Sequence, residues 1–289
     1  MAAITPAFEV APPAPGPVRY GLFAAATGPL ELPEHGRAGG LQWEQDVCGT
    51  ATLYTAECPP TGQDTKVSAE GDDYMTAAPF VVYAMSNCAP IGRGPEEHRR
   101  RAIARLMAGE QTAVETALWN GGGVGVTPAL TLAGATTVVS AATGFAARIA
   151  ALEEAFYDAY GYQGTVHVNT RAYGAAAAAG LIRSPNGGGQ LFADGGRLQT
   201  PIGSVWSFGA GYDITGPANV APEDGSVFAF ITPNVTVYRS TEVNAPDPQF
   251  TFNRTTNQMY ALAEREYVVG YGCPTVLAIE VPVETAATP

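Results

Sequence analysis

The stretch that decides the fold is GPEEHRRRAIARLMAGEQTAVETALWN, residues 94–120. Both of its ends carry helix signals. Pro95 suits the first turn, where its missing N–H costs nothing, and Glu96 and Glu97 suit the positive end of the dipole. Asn120-Gly121-Gly122-Gly123 closes the run where the backbone needs positive φ. Ile103, Leu106, Met107, Val114, Ala117 and Leu118 recur at three- and four-residue steps and predict one apolar stripe. About 25 residues at 1.5 Å each give roughly 37 Å. A helix that long, apolar on one face only, is expected to lie across a sheet or along a neighbouring subunit.

Upstream of the helix the signal is β from Leu41 to Cys88. Val47 to Ala56 (VCGTATLYTA) and Phe80 to Met85 (FVVYAM) are rich in β-branched and aromatic residues. Between them Pro59 to Pro79 is polar and turn-rich, with Gly62, Gly71, Asp72 and Asp73. Two strands so far apart make a long extended loop, and a loop of that size is usually functional or contact-forming. Residues 1–40 read as an arm. Ala2 to Val18 carries five prolines and little periodicity, which predicts extended or polyproline backbone. Phe8, Tyr20, Leu22 and Phe23 would anchor that arm on another surface.

Downstream, a second helix is predicted from Ser140 to Tyr160, with Phe145, Ile149, Leu152 and Phe156 on one face and Gly161 past its end. A short strand follows at Thr165–Val168. Asn169 or Thr170 then caps an alanine-rich helix that reaches Ala179 and stops at Gly180. Pro185 to Gly196 is a glycine-rich loop. Strands return at Val205–Phe208, Val227–Ile231, Val235–Arg239, Gln258–Val269 and Thr275–Val283. Helices set within segregated strands imply an α+β architecture, and no internal repeat is visible.

Composition narrows the function classes. The chain has 289 residues, enough for a sizeable core, and 46% of them are apolar against 15% charged, which excludes general disorder. No uninterrupted apolar run approaches the roughly 18 residues of a membrane helix. The first thirty residues lack a basic start leading into an apolar run, so no secretory signal is expected. A net charge of -12 opposes adhesion to phosphate backbones or anionic lipid. Among 15 basic residues only Lys66 is a lysine. Arginine's planar fork favours persistent ion pairs and interfaces, and high-GC coding drift produces the same bias. Cys48, Cys58, Cys88 and Cys273 show no C-x-x-C spacing; free buried thiols are expected, with a Cys48–Cys58 bridge as the alternative.

Catalytic chemistry finds no foothold in the motifs. His35, His98 and His167 are far apart and outside any H-x-x-x-H context, so no metal site and no cofactor are expected. There is no G-x-S-x-G elbow, P-loop or dinucleotide fingerprint, and Gly121–Gly125 reads as a helix stop. His98-Arg99-Arg100-Arg101 with Arg105 forms one basic cluster. It reads either as a nucleic-acid contact or as a solvated helix start pairing with Glu96 and Glu97. Asn234-Val235-Thr236 and Asn253-Arg254-Thr255 match the glycosylation sequon, a short match that carries little without an export signal.

The order of elements resembles the major capsid proteins of tailed bacteriophages, the Hong Kong 97-type fold: arm, long two-stranded loop, single long helix, α/β middle, long terminal strands. Two local stretches look like actinobacterial-phage head proteins. They are Ala108-Gly109-Glu110-Gln111 through Ala117-Leu118-Trp119-Asn120-Gly121, and Tyr260-Ala261-Leu262-Ala263-Glu264-Arg265-Glu266-Tyr267-Val268-Val269-Gly270. The resemblance implies an N-arm over 1–40, the E-loop and flanking strands over 41–92, and the spine helix with the first peripheral part over 93–138. It further implies an axial domain over 139–232, peripheral strands over 233–268, and a C-terminal strand over 269–289 returning to the axial domain.

What the resemblance implies for function is a structural protein, not an enzyme. Hexamers and pentamers would build an icosahedral virion shell around double-stranded DNA held with little specific binding, assembled in the host cytoplasm without a membrane. Met1 lies about forty residues before the first strand, so scaffolding is expected from a separate protein, beside a portal and decoration proteins. The fold also builds encapsulin nanocompartments, which are the first alternative; a monomeric hydrolase on the glycine-rich loops is the second. Some relatives lock the shell by an isopeptide bond between an E-loop lysine and an asparagine, assisted by a glutamate. Carried over, the residues are Lys66, Asn257 and Glu264, with Asn253 as an alternative partner. A neutral amine and a carboxylate to take its proton are required. The seven-residue spacing puts Asn257 and Glu264 on opposite faces of a regular strand unless a bulge intervenes. Otherwise Lys66 is a solvated loop residue making an ordinary intersubunit ion pair.

Overall fold

A computed structural model describes residues 20–45, 48, 74–88, 94–131, 135–183, 197–246, 252–253, 255 and 258–283. In chain order its elements are α1 (Leu22–Ala25), β1 (Thr27–Glu31), α2 (Glu34–Gly39), β2 (Leu41–Glu44), β3 (Tyr74–Ala77) and β4 (Phe80–Cys88). Then come α3 (Pro95–Asn120), β5 (Thr136–Thr137), α4 (Phe145–Tyr160), β6 (Thr165–Asn169), α5 (Tyr173–Ala178) and β7 (Val205–Gly209). The chain ends in β8 (Ser226–Thr232), β9 (Val235–Arg239), β10 (Phe252–Asn253), β11 (Gln258–Tyr271) and β12 (Leu277–Pro282).

The long helix α3 runs 26 residues, about 39 Å at 1.5 Å per residue. It begins at Pro95 behind Gly94 and stops where Gly121 turns left-handed (φ 76°), its N–H returning to the Ala117 carbonyl. The buried face is not the predicted stripe throughout. Leu106, Val114, Ala117 and Leu118 are buried as the spacing implied, but Met107 is exposed and Ile103 only half-buried. Their places are taken by Ala102, Glu110 and Glu115. The helix packs so closely on its sheet that alanine fits where a longer chain would not, and the two carboxylates find partners inside.

That sheet consists of β1, β9 and β11 in order, with β10 and β4 also on β11. β11 is the axis. Tyr267 to Tyr271 pair antiparallel with β9, and Met259 to Tyr267 pair antiparallel with β4. Along β11 the buried residues Met259, Ala261, Ala263, Arg265 and Tyr267 alternate with half-buried Tyr260, Leu262, Glu264 and Glu266. The buried set faces α3, where Val82, Ala261, Ala263 and Tyr267 meet Leu106, Val114 and Leu118.

A second sheet, ordered β5-β12-β8-β6-β7, carries α4 on one face. Ile149, Leu152 and Phe156 pack on Val166, Ala229, Ile231, Ile279 and Val281. The other face of β8 turns Phe228 and Phe230 toward the end of α3, and the Trp119 ring meets Phe230 edge-on at 4.8 Å. One helix thus reaches both cores. Helix α4 starts five residues later than predicted, behind Gly144, because Ser140–Thr143 run irregularly past Val138, whose N–H bonds Ala278. Asn169 caps a single 3-10 turn (Thr170–Ala172), its Oδ1 accepting from the Arg171 N–H at 3.0 Å, and the alanine-rich α5 follows at Tyr173 without a side-chain cap of its own.

Two expectations fail here. Residues 20–40 are not a free arm: Leu22 is buried, and β1 pairs parallel with β9. Of the anchors meant for another surface, Tyr20, Leu22 and Phe23 meet their own chain, Tyr20 stacking on Tyr173 and Phe23 on Tyr267, while Phe8 lies outside the described residues. Residues 1–19 lie outside the described residues, as does the predicted strand at Val47–Ala56 apart from Cys48. Nor are all the thiols free. Cys48 and Cys273 form a disulfide across a sequence separation of 225, with Cα atoms 5.5 Å apart, which also excludes the Cys48–Cys58 bridge. Local spacing cannot reveal a pair that only the approach of the β11–β12 turn to the segment after β2 brings together.

Candidate functional site

Two buried carboxylates on α3 hold the molecule together. Glu110 Oε2 accepts from Arg265 Nη1 at 2.8 Å and from the Tyr267 hydroxyl at 2.7 Å, while Oε1 accepts from Arg239 Nη1 at 3.1 Å. Burial, with Glu110 alongside, pushes the Tyr267 phenol well above its usual range. Five residues on, Glu115 Oε1 accepts from the Leu22 N–H at 2.9 Å and from Gln111 Nε2 at 2.8 Å. Its Oε2 accepts from the Gly211 N–H at 2.9 Å. Burial raises the Glu115 pKa, opposed by these hydrogen bonds. The first cluster fastens α3 to the sheet of β9 and β11. The second ties the start of α1 and the segment after β7 to the same helix.

A third polar network is fully buried. His167 Nε2 lies 2.9 Å from Thr232 Oγ1, and Nδ1 lies 3.0 Å from the Tyr212 hydroxyl, which is 2.8 Å from Ser207 Oγ. Thr232 donates its own proton to the Pro233 carbonyl, so it can only accept from the ring. The neutral Nε2–H tautomer satisfies every partner, and desolvation lowers the His167 pKa to about 3. No reactant reaches this network. Among the described residues no group of three or more His, Cys, Asp or Glu could hold a metal, and no helix is long and apolar enough to cross a membrane.

The exposed surface is where chemistry is left unpartnered. On β4, Val81, Tyr83 and Met85 point outward with 53%, 64% and 43% of their surfaces exposed. They stand opposite Glu266, Glu264 and Leu262 of β11, so an apolar ridge runs beside acidic groups. Among the described strands only β11 pairs with β4, and none lies along its other edge. Strand β1 ends the same sheet among the described strands, four of its five residues being exposed. An apolar face on an unpaired edge is the feature that soluble monomers blunt. The run FVVYAMSNC carried a signal that was missed, since it is apolar at alternate positions on both faces.

The basic helix start resolves toward its solvated reading. Arg99 pairs with Glu96 at 3.8 Å and Arg101 with Glu97 at 2.8 Å. Arg105 donates to the Met85 carbonyl at 2.7 Å, and His98 is buried beside Ser86. No basic stripe results. Of the residues named for a cross-link, Lys66 and Asn257 lie outside the described residues. Glu264 is on β11, accepting from Asn244 Nδ2 at 3.2 Å. Asn253 is paired with Gln258, six residues or about 20 Å of strand from Glu264, so one subunit does not bring these two together.

No protein-family profile matches the chain, and no curated protein matches it. Solved structures do. A structure from Mycobacterium phage Bobi superposes with a TM-score of 0.52 at 14% identity, covering 93% of each chain. The capsid of an empty GTA particle gives 0.51 at 14% identity, covering 94% of this chain and 95% of the other. A structure from Gordonia phage Cozz gives 0.50 at 12% identity, covering 93% and 89%. With so little sequence in common, what the chain shares with them is the fold of its backbone, among the described residues one long helix braced on a β11-centred sheet and ending at a second sheet. That is the Hong Kong 97-type fold, α+β, and this chain adopts it.

Proposed function

We propose that this chain is a major capsid subunit, a structural protein that assembles with copies of itself into the shell of a bacteriophage virion. The observation that carries the reading is the exposed apolar ridge of β4 (Val81, Tyr83, Met85), along an edge that no described strand pairs, on a Hong Kong 97-type fold. Contiguous exposed apolar surface of this kind marks a site of contact with another protein. Hexamers and pentamers closing an icosahedral shell repeat modest contacts many times, so that weak pairwise terms add to a durable particle. The enclosed partner is double-stranded DNA, and a net charge of -12 keeps an inner wall from adhering to it. Separate scaffolding, portal and decoration proteins, and assembly in the host cytoplasm, complete the reading.

Negative-stain electron microscopy and size-exclusion chromatography of the purified protein test it. Closed particles or capsomers are expected; a stable monomer with a measurable turnover would instead support the hydrolase. Particle contents separate a virion shell, holding nucleic acid, from a nanocompartment, holding protein cargo.

A finer proposal concerns Lys66. Its amine would attack the side-chain amide of Asn257 on another subunit, expelling ammonia and forming an isopeptide bond, with Glu264 accepting the proton. Glu264 is half-buried beside Tyr83, a setting that a loop from a neighbour could cover. Covalent ladders after boiling in SDS that vanish in Lys66→Arg support the bond. A single monomer band ends it.

A further inference from the structure

Among the described strands β2 and β3 pair only with each other, a two-stranded ribbon apart from the two larger sheets. Such a ribbon is marginal by itself. It rests on a small cluster, Leu41 and Trp43 against Leu32, Ala77 and Val268. Cys48 lies four residues past the end of β2. Cys273 sits in the turn from β11 to β12, where the chain leaves one large sheet for the other. The Cys48–Cys273 bond therefore ties the segment just past the loop-side end of the ribbon (Glu44, opposite Tyr74) to the junction of both sheets.

We propose that this pair is a redox-closed clasp. It is open where thiols are kept reduced and closed where glutathione is oxidised, and closing it holds the β2–β3 ribbon on the body. The two cysteines are unequal in the way the chemistry needs. Cys273 is fully buried, 3.7 Å from the Tyr162 hydroxyl, whereas Cys48 is partly exposed. The Cys48 thiolate attacks the glutathione disulfide, forming a mixed disulfide and releasing one glutathione thiol. Cys273 then attacks the Cys48 sulfur and releases the second. Two protein thiols are oxidised, one disulfide is reduced, and the two protons leave on the two glutathione thiols. Closure links residues 225 apart, so it restricts a long stretch of unfolded chain. The clasp stands on the intrachain geometry and does not depend on what the particle encloses.

The test uses the full-length protein in its purified assembly state, equilibrated with oxidised glutathione or with a phosphine reductant. Denaturation, alkylation with N-ethylmaleimide and peptide mass spectrometry read the bond. Amide hydrogen exchange reads its consequence. In the reduced protein, amides of Leu41–Glu44 and Tyr74–Ala77 are expected to exchange at least about tenfold faster. Cys48→Ser exchanges like the reduced protein and no longer responds to reductant; Cys273→Ala does the same, which guards against an effect peculiar to one substitution. Equal ribbon exchange in both redox states overturns the clasp. So does full alkylation of both cysteines after the oxidising treatment, or a reductant response that survives in Cys48→Ser. Light scattering on the same samples reports assembly separately.

Discussion

Acidification should unfold this protein in large part through one ring. His167 is neutral in the fold, its Nε2–H donated to Thr232 and its Nδ1 accepting from Tyr212, whose hydroxyl in turn accepts from Ser207. A second proton on Nδ1 would face a Tyr212 oxygen that must then give up its own donation, in a fully buried site. The folded pKa is accordingly about 3, against 6.5 for the free side chain. The sign follows from which state holds more protons. Between pH 6.5 and 3 the unfolded chain binds one that the fold refuses, so stability present above pH 6.5 is lost as pH falls toward 3. The slope approaches about 1.4 kcal/mol per pH unit, and the loss between pH 7 and 5 is about 2 kcal/mol. Glu115 and Glu153, whose pKa values burial raises, act in the opposite direction. Urea unfolding of dissociated subunits at pH 7 and 5, for the natural protein and for His167→Gln, cancels what the two have in common. The variant is less stable at pH 7, since Tyr212 loses its acceptor, but it should lose about 2 kcal/mol less on acidification. Equal losses in the two proteins, or a His167 ring seen by NMR to titrate near 6.5, would refute the reasoning.

Three further outcomes are expected. Glu110→Ala leaves Arg265 and the Tyr267 hydroxyl buried without their acceptor and should cost about 3–5 kcal/mol in urea unfolding, an effect far beyond that of an ordinary surface change. Tyr83→Ser with Met85→Ser should alter subunit stability by no more than about 0.5 kcal/mol per site, yet abolish particles in electron micrographs; normal particles would show that the β4 ridge is not an assembly contact. Gly270→Ala would drive a methyl group into the Trp43 indole, so Trp43 fluorescence should shift and β2 amides exchange faster while α4 is unaffected.

Elements whose identity is local were legible in the residues. Pro95 and Gly121 bound α3 because chain entry and exit impose φ requirements that neighbouring residues express directly. The strands from Val205 onward were also readable, since alternation of side chains needs no knowledge of the partner strand. The absence of a catalytic motif was visible for the same reason. The site was less legible. Glu264 could be named from resemblance, but its distance from Asn253 depends on strand register. The β4 ridge needed the pairing with β11 before its outward face could be told from its inward one.

What the chain alone determined, then, is the long one-faced helix, the α+β order and a strongly acidic molecule. Tertiary structure decided which groups meet: Glu110 with Arg239, Arg265 and Tyr267, Glu115 with Leu22 and Gly211, and Cys48 with Cys273. It also decided that residues 20–40 lie on their own body. The physical reason is that propensity and periodicity act over one or two turns of chain. A buried ion cluster, a disulfide and a parallel strand pair are satisfied only when segments about 100 to 225 residues apart converge, and no residue carries the address of so distant a partner.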